Sequence, residues 1–426
     1  MKSVAAACLV ASATAAASPL GIAWTQNVSC ESPGANTRYP DRTFAVAGGI
    51  VWIDGKRLVR RELATGAAVS EASLGGYGAS VVGRTSDALL LRDRDGFAMY
   101  DAVSLKPRWH VAAKAGIDPQ RVGVVGDDVA YLDDHKVLSL LDGKTGAARW
   151  QRPLGHGGIF RWLGGSAAFV YLYMGDTIEA FAASDGKRVW THDEPSPAYV
   201  GDFGWPVGRE LVYERSKGLG KVDEHGAGST VDIESPMLGA IDGGFAFVAA
   251  AHDIAAIDLA RMKVVWRTPY RDTLAKVAGV TATSVYVADD DVLRELDRST
   301  GKQRATYGIA DETIVATRAT PALLACNGSR LMALDPSASD VPVETTTVTG
   351  RIVCKACAKP IDVRIGDVTG KTDATGRFSL TVTGRGTFFV SASLDGQDHK
   401  MQAVHMDGSK THALGKLEGE PQPEGD

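Results

Sequence analysis

Between residues 129 and 150 the chain reads VAYLDDHKVLSLLDGKTGAARW, a sequence of short apolar runs separated by polar breaks. Residues 129–132 are apolar and rich in strand formers. Asp133, Asp134 and His135 interrupt them and suit a hairpin turn. In the next run Val137, Ser139 and Leu141 share one face, and Leu138 and Leu140 share the other. Both faces are largely apolar, as expected of a strand packed on two sides. Residues 142–146, DGKTG, then turn the chain. Asp142 can accept from its own downstream backbone there, and Gly146 can take a positive φ at little cost. Trp150 follows four residues later.

The pattern recurs in looser form along most of the chain. Copies align on the residue that ends the second run, at Glu62, Asp101, Asp142, Ala182, Val222, Asp258, Asp297 and Asp335, spaced 36 to 41 residues apart. The turn position four residues on is Gly66, Leu105, Gly146, Gly186, Gly226, Met262 and Gly301. Trp109, Trp150, Trp190 and Trp266 follow it at a fixed offset. A period near 40 with several strands per unit predicts an all-β propeller. Eight blades are expected, at about residues 43–75, 79–112, 122–154, 159–195, 199–235, 236–271, 275–308 and 313–344. Seven is the alternative, if the degenerate copy near 222 is an insertion. The last copy is short, so a strand from elsewhere must complete it. Residues 36–44 are the first expectation and residues 341–346 the second.

This repeat resembles the PQQ-like family of β-propellers, in which an apolar-Asp pair, a Thr-Gly or Asp-Gly turn and a tryptophan four residues on recur. The resemblance covers residues 43–335. It implies that Trp109, Trp150, Trp190 and Trp266 pack between neighbouring blades. Trp162 and Trp205 fall outside that repeat position and are the candidates for ligand-facing aromatics. The Trp-Asp and Gly-His signatures of WD40 propellers do not recur.

From residue 345 the period ends. Strand-like segments then alternate with glycine turns, and the motif TDATGRFSL at 372–380, with TGRIV at 349–353 and KPIDV at 359–363, resembles the carboxypeptidase regulatory-like domain. That implies a small, non-catalytic β-sandwich over residues 345–417, with Phe378 in its core. Residues 418–426, EGEPQPEGD, are acidic and expected to be disordered. At the other end, residues 1–17 carry Lys2, an Ala-rich apolar run and small-x-small cleavage patterns, and read as a secretory signal peptide. Residues 18–42 are expected to be a leader to the first blade. No segment of the mature chain is expected to span a membrane.

Net charge is −5 and the pI near 6.0, so no basic field is available to recruit nucleic acid. Of five cysteines, Cys8 leaves with the signal peptide. Cys30, Cys326, Cys354 and Cys357 remain, an even set that suggests two disulfides in an exported chain. Three pairings are open on count alone. A local Cys354–Cys357 staple and a Cys30–Cys326 bond near the ring closure are expected. A redox or zinc role for the CxxC lacks its usual context, namely a βαβ unit or a second ligand pair.

No catalytic set emerges. The acidic clusters 127–128, 133–134 and 289–291 fall in expected turns and lack calcium-loop spacing. His110, His192, His252 and His405 show no paired spacing, and no G-x-S-x-G elbow occurs. Quinoprotein dehydrogenases of the same family use adjacent cysteines beside the quinone, and this sequence has none. No cofactor and no metal are expected.

The residues and the resemblance together imply a non-enzymatic, exported scaffold. It would be monomeric, periplasmic, outer-membrane-associated or extracellular, and would hold envelope or surface proteins as the propeller subunit of outer-membrane assembly machinery does. A carbohydrate-binding or adhesion module is the alternative, and a quinone-dependent dehydrogenase is third.

Overall fold

The computed structural model describes residues 22–30, 43–46, 49–54, 56–74, 79–93, 95–113, 121–155, 157–194, 204–270, 275–289, 292–309, 313–315, 323–326, 328–334, 345–354, 360–394, 397–406 and 409–418. The expected signal peptide, Cys357, Asp290, Asp291, Asp335 and the tail beyond residue 418 lie outside them.

Every regular element among the described residues is a strand. Among the described residues no helix is long and apolar enough to cross a membrane. The strands up to residue 334 fall into eight four-stranded antiparallel units. Seven are sequential meanders, at residues 43–73, 80–112, 122–153, 160–193, 204–232, 237–269 and 276–309.

The eighth unit joins Thr313–Val315, Leu323–Cys326 and Gly328–Leu334 to the N-terminal strand Ile22–Cys30. The N-terminal side of the chain therefore completes the last unit, but with a strand earlier than expected and inside the expected leader. Thr43 and Phe44 instead begin the first unit, in Thr43–Val46, and Thr345 and Thr346 begin a strand of the C-terminal region. The physical reason is period. Residues 43–46 are needed as the first strand of unit one, so only residues upstream of them are free to close the set.

First strands of successive units lie side by side. Val122–Val125 and Phe160–Gly165 even pair in parallel, at Val125 and Gly165. Glycine permits the approach: a Cβ on Gly123 would stand 2.0 Å from the Leu163 carbonyl oxygen. The hydrophobic clusters accordingly lie between units. One holds Val51, Leu58 and Leu74 of unit one with Leu89, Leu91 and Leu105 of unit two. Another holds Leu138 and Trp150 of unit three with Leu172 and Phe181 of unit four.

The C-terminal strands form two sheets over one core. Arg377–Thr383, Thr345–Val353 and Thr411–Glu418 make the first. Val368–Lys371, Asp362–Ile365, Arg385–Leu394 and Gln397–Met406 make the second. Val348, Ile352, Phe378, Phe388 and Val390 are buried between them, and Val292 of unit seven joins the same cluster. The second sheet continues the sheet of unit seven, because Arg385–Leu394 pairs in parallel with Gln303–Ile309 from Tyr307 to Ile309.

A charged hub reinforces this junction. Arg294 donates to Asp367 through Nε, at 2.9 and 3.0 Å, and through Nη2. Its guanidinium also lies 4.5 Å from the centre of the Tyr270 ring. The C-terminal sheets are therefore held to unit seven by backbone pairing, a shared core and an ion pair.

Candidate functional site

The repeat places each conserved-offset tryptophan on the last strand of its unit, where it meets the turn of the next. Trp109 lies against Gly146, Trp150 against Gly186, Trp190 against Gly226 and Trp266 against Gly301. A Cβ on these glycines would stand 2.5 to 3.0 Å from the indole. All four glycines have positive φ, between 69° and 86°. The indole nitrogens of Trp109, Trp150 and Trp266 donate to the carbonyls of Gly143, Ala183 and Arg298, each at 2.9 Å.

Two seams use another solution. Ser70 occupies the tryptophan register in unit one, opposite Arg60 as Trp150 is opposite Leu140, and its hydroxyl donates to the Val103 carbonyl at 2.7 Å. The receiving turn then carries Leu105, buried at φ 56°. Thr230 holds the same register in unit five, opposite Gly220, and the corresponding turn of unit six carries Met262, buried at φ 48°. At these six seams a bulky residue is followed by glycine, and a small one by Leu or Met. The sequence holds this signal, but only when each copy is read against the copy that follows.

Trp162 and Trp205 are also seam residues. Trp162 lies over Gly164 and Gly204 and packs against the cluster of units four and five. Trp205 packs against the cluster of units five and six. Both are partly buried.

A buried polar group bridges units four and five. Glu194 accepts from the Tyr213 hydroxyl at 2.9 Å and from Arg215 Nε at 3.0 Å. His192 Nε2 lies 3.2 Å from the same hydroxyl. Burial, with the Glu194 charge beside it, raises the Tyr213 pKa well above the usual tyrosine range. In unit seven, Glu295 accepts from Ser284 at 2.6 Å and from Tyr307 at 2.9 Å. Linear spacing could not reveal either group, since partners come from different strands or units. In both, the carboxylate is fixed by neutral donors and arginine, which suits cross-bracing better than proton transfer.

The acidic clusters are turn and seam devices where they are described. Asp127 accepts from Ser86 of the preceding unit, Asp133 from the Val137 amide, and Asp134 pairs with Arg121. Among the described residues, no group of three or more His, Cys, Asp or Glu could hold a metal ion. Cys354 is disulfide-bonded. The strand register puts Cys30 opposite Gly328, two residues past Cys326.

The turn aspartates supply a pH signature. Asp142 accepts from Arg149 at 3.0 Å, from the Thr145 amide at 2.9 Å and hydroxyl at 3.0 Å, and from the Lys144 amide at 3.0 Å. These bonds, Arg149 first, hold its pKa down at about 2. Asp101 and Asp297 are lowered by the same kind of turn. A carboxylate with a depressed folded pKa stabilises fully above its unfolded value, about 3.9, and that contribution is lost as pH falls through the folded value. The urea midpoint is therefore expected to fall between pH 4.5 and pH 2. Asp142→Asn should make that fall shallower, and an unchanged slope would remove Asp142 from this account.

Two of the exposed large apolar side chains lie at connections between units, while Val69, Val189 and Val265 stand on last strands and Val103 in a turn. Ile159, between units three and four, is 73% exposed, and Met237, at the start of unit six, is 37% exposed. Both lie where the last strand of one unit leads into the first strand of the next, which is one face of such an array. Glu214 braces that region by accepting from the Leu238 amide at 2.7 Å.

The model of the family described as outer membrane protein assembly factor BamB matches residues 54–218 and 174–372. A search of curated proteins returns no match. Among solved structures, a quinohemoprotein alcohol dehydrogenase from Comamonas testosteroni is similar at TM-score 0.51 and 11% identity, covering 75% of this chain and 77% of that one. The computationally designed protein Ika8 is similar at TM-score 0.51 and 9% identity, covering 72% and 99%. BamB from Moraxella catarrhalis aligns at TM-score 0.49 and 16% identity, also covering 72% and 99%. At these identities the structural likeness speaks for the fold, a β-propeller.

Proposed function

Because the chain belongs to the outer membrane protein assembly factor BamB family, we propose that it is a non-enzymatic, protein-binding scaffold of the cell envelope. The observation that carries this reading is the family match, which runs from the first unit into the C-terminal sheets. The buried carboxylates support it, being tied into braces within or between units. The sequence also lacks the adjacent cysteines expected beside a quinone.

In this reading the eight units form an eight-bladed ring. Residues 1–17 direct export, and residues 345–417 form a carboxypeptidase regulatory-like sandwich. Cys30 pairs with Cys326 and Cys354 with Cys357, as an oxidising compartment allows. The partner binds the face bearing Ile159 and Met237. Exposed apolar anchors within a polar rim are the usual centre of a protein interface.

The test is photo-crosslinking from position 159 in the native cell envelope, followed by mass spectrometry. A reproducible envelope-protein partner, lost when Met237→Asp is added at unchanged abundance, is the expected result. A stable, abundant bait that captures no protein would overturn the scaffold reading.

A further inference from the structure

We propose that the outer face of the three-stranded C-terminal sheet binds an acidic polysaccharide. This goes beyond the propeller reading and does not depend on it. In Thr345–Val353 the odd-numbered residues point outward, because Thr346, Val348 and Ile352 are buried. Arg377–Thr383 alternates in the same way, with Phe378, Leu380 and Val382 inward. The register then sets Thr345 beside Thr383, Thr347 beside Thr381 and Thr349 beside Ser379. The hydroxyl oxygens of the first two pairs are 3.2 and 3.4 Å apart. Thr411 extends the second row on the third strand, as the partner of Thr347.

The same register ends the hydroxyl rows in a line of cations. Arg351 on the central strand is the partner of Arg377 on one side and of Lys416 on the other. All three residues are exposed. Threonine rows follow from strand propensity alone, but this line does not, since like charges directly opposite each other destabilise a sheet. Local acids offset it only in part. Glu418 pairs with Lys416 at 2.7 Å in an exposed contact. Asp373 lies near Arg377, but its Oδ1 accepts from the Thr375 amide, the Thr375 hydroxyl and the Arg377 amide. Arg351 donates through Nε to the Thr375 carbonyl, which leaves the rest of its guanidinium for an outside acceptor.

An extended ligand with hydroxyls along its length and anionic groups at intervals matches both parts of this face. Sugar hydroxyls would exchange hydrogen bonds with the threonine rows, and carboxylate or phosphate groups would meet Arg351, Arg377 and Lys416. The described residues of this face include no aromatic, so affinity would come from ions and hydrogen bonds, not from ring stacking. It would accordingly weaken with salt. Docking on unit seven fixes the direction in which the face points.

The experiment is binding of the full chain to immobilised alginate, a carboxylate polysaccharide, against neutral dextran, at low and high salt. Retention on alginate alone, weakened by salt, is expected. The Arg351→Gln, Arg377→Gln, Lys416→Gln variant should lose at least tenfold in affinity at unchanged melting temperature. Thr347→Val, Thr381→Val should lose less. Equal binding by the triple variant, or no binding by the parent chain, overturns the proposal. So does alginate binding that appears only after residues 419–426 are removed, since the acidic tail would then be the occupant.

Discussion

Gly186→Leu is expected to lower the denaturation midpoint sharply, and Trp150→Ser in the same chain is expected to restore much of the loss. Gly186 has φ 69°, and a Cβ there would stand 2.7 Å from the Trp150 ring. Positive φ costs a side-chain-bearing residue about 1–2 kcal/mol, and overpacking a seam adds about 1–3 kcal/mol. Trp150→Ser alone opens a cavity and loses the indole bond to Ala183, a change of about 3–5 kcal/mol. The double variant reproduces a seam the protein already contains. Ser70 faces a turn carrying buried Leu105, and the serine hydroxyl bonds the turn carbonyl where the indole would. Equilibrium unfolding of the four chains gives the coupling directly. A favourable coupling above about 1 kcal/mol is expected within the usual range for contacting residues. Purely additive losses would mean that the seam does not choose its two residues together.

The same seam shows how far the sequence could be read. The spacing of Glu62, Asp101, Asp142 and their successors is a property of one copy at a time, so the repeat and the all-β class are visible directly. The pairing of Ser70 with Leu105, or Thr230 with Met262, joins one copy to the next, and inspection of single copies leaves Leu105 and Met262 looking like decay of the glycine. Trp162 and Trp205 lie off the repeat position, and only the packing of the first strands of units four and five sets both rings against the clusters there. The Glu194 brace and the Arg294–Asp367 hub depend on residues whose approach is set only by the packing of whole units. Nothing in local sequence announces them.

The strand that completes the eighth unit is the least conspicuous in the sequence, and its loss is expected to have a large effect. Residues 22–30 follow an apolar run and carry Gln26, Asn27 and Ser29, so they read as a polar leader. Register tells more than polarity here. Trp24 is the partner of Ala333, two residues before Asp335, as Trp150 is the partner of Leu140, two residues before Asp142. The register shift that accompanies most of the tryptophans recurs beside Trp24. Trp24 thus holds in unit eight the register position that Trp150 holds in unit three, and the turn of unit one carries Gly66 at φ 68°. Deleting residues 22–30 leaves Gly328–Leu334 as an open edge and unit one without its neighbour's last strand. Such an edge is a template for aggregation. The truncated chain is therefore expected to melt far below the full chain and to self-associate. A synthetic peptide of residues 22–30 should raise its stability in proportion to the logarithm of peptide concentration, by about 2.7 kcal/mol at a hundredfold excess over Kd, and its midpoint with it. A Trp24→Ser peptide should need a much higher concentration, because serine at that register calls for a bulky residue where Gly66 stands. Equal melting of the truncated and full chains would show that the eighth unit does not need this strand. Equal rescue by both peptides would show that closure rests on backbone pairing alone.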